Sequence, residues 1–486
     1  MRINKQPFLI YLCILFCIHA TSQTAAYPDE ITEKIKAVEQ NLSAWVQMEG
    51  VPKWTLAERM VHYKINGVSI GVIKDYKIDW VKGYGWADEA EKRPVTTETR
   101  FQAGSISKSL NGVGILTLAQ DKKIDLYTDI NKYLTSWKFP YDSVAKGKTI
   151  SIANLLSHTA GLSVHGFPGY AMKDSIPTLP QILDGKRPAN TEAVRSLFEP
   201  GLRFKYAGGG TTISQLILMD ITKQPYETYM WEHVLKPLGM NNSTYKQPFD
   251  SGQKAYATAY YDDGKEVKGK YHLYPEQAAA GLWTNPTDLS RYIIETQLAL
   301  IGKSEKVLSQ QMTRLRLTPY IDTTVALGVF ISDKAGIKYF SHNGQDEGFT
   351  AAYMGSFDGN GVVVMSNSDN GALNSEIINS VASVYKWQGL MPDTRKVVEV
   401  PDPVLLQYTG QYKVENDTLI ISQKDKGLIV GIKGTPIEWK VYFTSDTTFF
   451  LMEINGDFSL LKTNGQKVES ILLKQGGVST TIKRLE

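Results

Sequence analysis

A serine and a lysine three residues apart on a helix lie on one face, so the amine can reach the hydroxyl and activate it as a nucleophile. The chain holds six such pairs, beginning at Ser105, Ser143, Ser243, Ser251, Ser383 and Ser459, so spacing alone selects none of them. Their surroundings separate them. Ser105 follows Phe101-Gln102-Ala103-Gly104 and precedes an apolar stripe at Ile106, Leu110 and Val113, which predicts that it is the first residue of a buried helix. The helix dipole and free N–H groups at such a place favour the negative charge of an alkoxide and of the oxyanion it forms on attacking a carbonyl. Ser251 falls in a Gly-rich polar loop, Ser459 in a β-rich tail, Ser143 and Ser243 in turn-like sequence, and Ser383 in an amphipathic helix. The competing reading of Ser105 is an ordinary helix N-cap.

Further segments share the order of a known pattern: Gly104-Ser105-Ile106-Ser107-Lys108-Ser109, Leu155-Leu156-Ser157-His158-Thr159-Ala160-Gly161-Leu162, Phe198-Glu199-Pro200-Gly201, Pro237-Leu238-Gly239-Met240 and Gly281-Leu282-Trp283. Taken together over roughly residues 55 to 390, they resemble the serine β-lactamase and penicillin-binding protein superfamily, in its class C β-lactamase, D-aminopeptidase and esterase branch. The resemblance implies an antiparallel sheet flanked by helices with a mainly helical inserted block. It also implies a serine acyl-enzyme acting on a small ester, a D-amino-acid peptide or a β-lactam, with Ser105 as nucleophile and Lys108 as its proton-transfer partner.

By the same resemblance Tyr206, in Tyr206-Ala207-Gly208, is the second catalytic element. A phenol titrating near pH 10 is a poor base unless cations hold it as phenolate, and Lys108 is the candidate cation; the sequence leaves open which of the two is the base. The pattern departs at Gly208, where the family carries an asparagine that binds the substrate amide and the lysine. His342-Asn343-Gly344 matches the third wall, following the apolar strand Ile337 to Phe340, and its glycine would let substrate backbone lie alongside. Lys334-Ala335-Gly336 is a rival match, placed in the preceding hairpin turn. The N–H of Gln345 would join that of Ser105 as an oxyanion hole. His158 reads as structural, and His165 as a residue of the following Gly-rich loop. No residue spacing indicates a metal or cofactor. The reading from another class is a catalytically weak or inactive ligand-binding module that keeps the pocket.

Elements must hold these groups. Ile31, Ile35, Val38, Leu42 and Trp45 fall at helical spacing, and a second helix over Leu56 to Ile65 stops at Asn66-Gly67. A hairpin follows, Val68 to Ile73 and Ile78 to Trp86 around Asp75-Tyr76-Lys77. Strands return near Ala326 to Phe330, Ile337 to Ser341, Thr350 to Ser356 and Gly361 to Ser366, so the sheet draws on both ends of the domain around a helical block, an α+β arrangement. After Pro401 and Pro403, eight short β-rich runs spaced by turn residues predict a small antiparallel barrel, similar to the lipocalin-like appendage of some relatives. The division expected is 27–395 for the hydrolase domain and 396–486 for the barrel.

The N-terminus reads as a secretory signal over residues 1–22: Arg2 and Lys5, an apolar run from Phe8 to Ile18, then small residues. That run is shorter than the roughly 20 residues of a spanning helix. Both cysteines, Cys13 and Cys17, lie inside it, so the mature chain would hold no thiol nucleophile, disulfide or cysteine metal ligand. An exported, periplasmic or extracellular protein without stable membrane insertion is expected. With 53 basic and 50 acidic side chains, and two of the basic ones in the signal, charge gives no sign of a nucleic-acid partner. A small-molecule or peptide substrate is the expected partner; oligomeric state is not legible.

Overall fold

The computed structural model describes residues 27–485 except 45, 251, 253–254, 415–416, 453, 455, 464–466 and 476–477. The expected signal segment, with both cysteines, lies outside these residues, as do Trp45 and Ser251. Among the described residues no helix is long and apolar enough to cross a membrane.

Seven strands form one antiparallel sheet in the order 93–94, 77–88, 67–74, 361–366, 349–356, 337–346 and 330–334. The two ends of the domain meet in its middle, where Val362 pairs with Val72 and Val364 with Ile70. Valine runs such as Gly361–Ser366 fit that place because the sheet is covered on both faces. Val362 and Val364 join Val68, Ile70, Val72, Ile35, Val38, Leu373 and Ile377 on one face. Val363 and Met365 enter the larger core on the other, under the helix Pro286–Leu300 and the helical block. Gly71 is needed there: a Cβ on it would sit 3.0 Å from the Pro286 side chain.

Three local expectations change. The first helix is Asp29–Glu39 and ends before Leu42, whose backbone instead bonds Trp54, so the apolar spacing to Leu42 is not one helical stripe. The strand expected at Ala326 to Phe330 begins at Phe330 and runs to Lys334. Gly328, at φ +83°, turns the chain against the Lys108 carbonyl, so the apolar residues Val325 to Val329 form a buried loop. The strand expected to end before His342 continues from Ile337 to Asp346.

Eight antiparallel strands from Gly410 to Arg484 close into a barrel, with one run predicted from sequence at each position. Its interior is filled by Tyr412, Phe443, Phe449, Phe458, Val441 and Ile471. A short helix, Asp402–Tyr408, precedes it and was not expected; Pro403 stands in its first turn, where the missing N–H costs nothing. Tyr408 packs into the barrel core and donates to the Asp446 carbonyl.

Candidate active site

The helix Ser107–Gln120 is buried almost all round, so its polar side chains must find partners inside the protein. Ser107 donates to the Gly104 carbonyl, Ser109 pairs with Tyr353, and Asn111 bonds Ser214 and Tyr226. Lys108 is 3% exposed. Its ammonium donates to Ser105 Oγ at 2.9 Å and to the Ala279 carbonyl at 2.7 Å. Ser105 itself is not the first α-helical residue but the middle of a 3-10 turn, Gly104–Ile106, that leads into the helix. Ser105 is half-buried and its side chain caps neither this turn nor the helix after it, which removes the N-cap reading.

Two glycines bring the Gly104–Ile106 turn against the 337–346 strand. Gly104 stands at φ +51°, and a Cβ on it would lie 2.4 Å from Gln345 N. A Cβ on Gly344 would lie 1.9 Å from the Ala103 carbonyl and 3.2 Å from Ser105 N. Backbone touches backbone here, and Ser105 N and Gln345 N both belong to that contact. The strand 330–334 pairs with 337–341 only, so the edge of residues 342–346 is left open beside the serine. Along it His342, Gly344 and Asp346 are buried while Asn343 and Gln345 are exposed, the period of two of a strand.

Tyr206 closes the opposite wall. The Lys108 ammonium lies 5.1 Å from its ring centroid. The ring packs against His158 at 4.3 Å, His165 at 4.8 Å, His342 at 6.3 Å and, stacked, Phe330 at 6.4 Å. His158 Nδ1 accepts the Ala207 N–H, so its proton is on Nε2. Burial, then Lys108 and His342, hold His158 well below the usual histidine range. Buried His342 donates from Nδ1 to the Asn343 carbonyl and is pushed down to about 3, by burial first and Lys108 second. Both rings are therefore neutral at neutral pH, and His342 itself brings no charge to the cleft.

Gly208 does not line the cleft as expected. It opens the helix Gly208–Thr222, its N–H donates to the His165 carbonyl, and a Cβ would meet that oxygen at 2.9 Å and Phe167 at 3.0 Å. The 165–167 loop thus lies where a side chain at 208 would begin. Lys334-Ala335-Gly336 falls at the hairpin turn between two strands, away from the site.

The cleft measures about 1270 Å³ and is lined by Ser105, Lys108, Tyr206, His342 to Glu347 and the 165–168 loop, among others. Among its described lining residues Lys108 is the only lysine or arginine, against Asp262, Asp346, Glu347 and Asp369. Sequence reasoning missed Ala279, whose carbonyl holds Lys108, and two buried carboxyls, Asp346 and Glu276; a backbone acceptor leaves no trace in sequence.

A family model described as Beta-lactamase matches residues 53–383. Protein flp of Staphylococcus aureus (strain MW2) is 26% identical over 367 residues, 72% of this chain and 68% of that protein. A putative penicillin-binding protein, PbpX of Bacillus subtilis (strain 168), is 24% identical over 315 residues, 64% of this chain and 73% of its own. Among solved structures, the octameric penicillin-binding protein homologue from Pyrococcus abyssi superposes with TM-score 0.59 at 19% identity, covering 88% of this chain and 97% of that one. The D-amino acid amidase from Ochrobactrum anthropi SV3, complexed with L-phenylalanine amide, gives 0.56 at 18% identity, covering 74% and 99%. At these identities the structural likenesses carry the fold.

Proposed function

The chain belongs to the β-lactamase family of serine hydrolases, and from that premise we propose that Ser105 forms an acyl-enzyme, with Lys108 and Tyr206 moving its proton. The observation that carries the reading is the Lys108 ammonium, fixed between Ser105 Oγ and the Ala279 carbonyl. Ser105 Oγ attacks the substrate carbonyl carbon and its proton passes to the Lys108–Tyr206 pair, which enters the step one proton short, as ammonium with phenolate or amine with phenol, and returns the proton to the departing alcohol or amine. Water then repeats the sequence to free the acid. With the Lys108 nitrogen 5.1 Å from the Tyr206 ring centroid, the base is assigned to the pair rather than to either residue. The amides of Ser105 and Gln345 are the donors for the oxyanion, and preorganised donors of this kind need no rearrangement as charge develops.

The substrate order we propose is a small ester, then a D-amino-acid peptide or amide, then a β-lactam. Neutral His342 offers no cation to a β-lactam carboxylate, and Asp262, Glu347 and Asp369 in the lining disfavour one. The Gly208 position, filled over by the 165–167 loop, offers no amide side chain for substrate. A cleft above the roughly 300–1,000 Å³ of small-ligand sites admits a peptide-sized substrate. We also propose export of the mature chain, on the sequence of residues 1–22, and a division at residue 395 between hydrolase domain and barrel.

Intact mass after incubation with a fluorophosphonate and with panels of p-nitrophenyl esters, D-amino-acid amides and penicillins tests this. The expected outcome is one adduct on Ser105 and ester turnover that falls about a thousandfold or more in Ser105→Ala. Equal turnover in that variant ends the proposal. The barrel does not favour the ligand-carrier alternative, since its interior is occupied by its own aromatic side chains.

A further inference from the structure

Two carboxyls beneath the cleft take no part in the chemistry above. Asp346 is 5% exposed and Glu276 fully buried, and none of their four oxygens closes a hydrogen bond of full geometry within the protein. A lone buried carboxylate is costly, so such groups persist as neutral acids or with a job that offsets the cost. Burial pushes Glu276 up to about 8 and Asp346 well above the carboxylate range.

Asp346 stands at a particular place. It is the next inward position after Gly344 on the strand whose backbone presses on Ala103, and it follows Gln345, the proposed oxyanion donor. The groups that face its carboxyl are the Gly104 N–H and Lys108 from the nucleophile turn and its helix, and Glu276 and Tyr274 from the segment before residues 277–280. Glu276 in turn faces Tyr274 and Tyr170. Gly104 is the left-handed residue whose conformation aims Ser105. One short segment therefore supplies the Gln345 amide and, at the adjacent residue, the carboxyl nearest the amide before Ser105.

We propose that Asp346 is a positioning residue: as a neutral acid its carbonyl oxygen accepts the Gly104 N–H and sets the spacing between the Ser105 and Gln345 amides. This rests on Ser105 being the nucleophile. Neutrality matters because an ionised Asp346 would compete with Ser105 for the charge of Lys108, while the neutral acid accepts from Gly104 without doing so. Burial is what holds Asp346 in that form, and Glu276 would add to the cost of ionising it only once Glu276 is itself ionised.

The test compares the full chain with Asp346→Asn, Asp346→Val and Asp346→Ser. Steady-state kinetics on a p-nitrophenyl ester and amide hydrogen exchange of the peptide containing Gly104 and Ser105 are the readouts. Asparagine keeps a carbonyl acceptor and cannot ionise; valine has similar volume and no acceptor; serine is the small polar variant least disturbing to folding. We expect kcat to fall about a hundredfold in Asp346→Val and in Asp346→Ser with KM within about threefold, the size of effect of one misplaced oxyanion donor. Exchange of the Gly104 peptide should quicken about tenfold or more in both, by the opening logic of local protection. Asp346→Asn should stay within about fivefold of wild type in kcat, with exchange unchanged. The proposal is overturned if the serine or valine variant keeps kcat within about threefold, if exchange of that peptide does not move, or if asparagine fails to restore both. Absence of turnover in the wild type would instead sink the hydrolase reading, and exchange would then decide the positioning role alone.

Discussion

Lys108 Nζ is shared between a hydroxyl and a carbonyl, with no carboxylate at hydrogen-bond distance in that arrangement, so its charge is directed at Ser105. Replacing it by methionine keeps the stem and leaves the Ala279 carbonyl unpaired, which should cost about 1–3 kcal/mol of stability while removing ester turnover; thermal melting and kinetics measured together separate the two effects. Buried titratable groups at the site also make stability depend on pH. Glu276 ionises at about 8 when folded and near the ordinary carboxylate value when unfolded. The unfolded chain releases that proton first, so stability is full below about pH 4 and is lost as pH rises toward 8. His342 runs the other way: with a folded value of about 3, its contribution is full above its unfolded value and is lost as pH falls toward 3. Glu276→Gln should therefore raise Tm relative to wild type more at pH 8 than at pH 4.5, and a constant difference across that range would contradict the assignment. Of these residues, Ser105 and Lys108 are legible in sequence because spacing, the preceding glycine and the apolar stripe agree. Glu276 and Asp346 are not, since an acidic side chain in sequence reads as solvated and only the fold shows both enclosed.

The elements that carry the site are joined backbone to backbone, which makes two glycines more exacting than any side chain near them. A methyl group on Gly344 would sit 1.9 Å from the Ala103 carbonyl, and one on Gly104 would add a left-handed conformation to a 2.4 Å clash. Either alanine substitution should part the nucleophile turn from the strand and drop kcat about a hundredfold or more, comparable to losing an oxyanion donor; a folded variant with near-normal turnover would show that the two amides need not be adjacent. Gly208→Asn, which restores the asparagine of the family pattern, should not by itself improve activity on D-amino-acid amides. Its Cβ meets the His165 carbonyl before its amide reaches the cleft. At this scale alternation and turn residues were good guides: all eight barrel strands and the outer hairpin follow them. They failed where an apolar run was buried for another reason. The strand expected at Ala326 to Phe330 is mostly a loop turned by Gly328 against the helix Ser107–Gln120, and the helix Asp402–Tyr408 goes unseen because Pro401 and Pro403 stand where the pattern changes to β-rich runs.

The hydrolase unit is closed by its own ends and does not draw on the barrel for its cleft. Residues 29–39 lie against the helix Ala372–Tyr385, where Ser380 donates to the Val38 carbonyl, so both termini of the unit belong to one packed face. The chain then runs 393–395 parallel to 46–48 before leaving for the barrel. Past that point the described attachments are few and local: Arg395 pairs with Asp457 and lies over Phe450, and the Val398 N–H donates to the Phe443 carbonyl. Among the described residues, those lining the cleft fall between Ser105 and Leu390. A closed barrel has no free edge to satisfy by pairing with its neighbour, and its core is its own, so neither unit needs the other to bury its apolar surface. Ending the chain after residue 396 keeps the 393–395 strand and should leave ester kcat and KM within about threefold of the full protein. The loss should appear instead as a Tm lower by a few degrees, the size expected from about 1 kcal/mol in a domain this large. A tenfold fall in kcat/KM with the shortened chain still folded would mean that the barrel reaches substrate from beyond the cleft walls, and the division at residue 395 would then be structural without being functional.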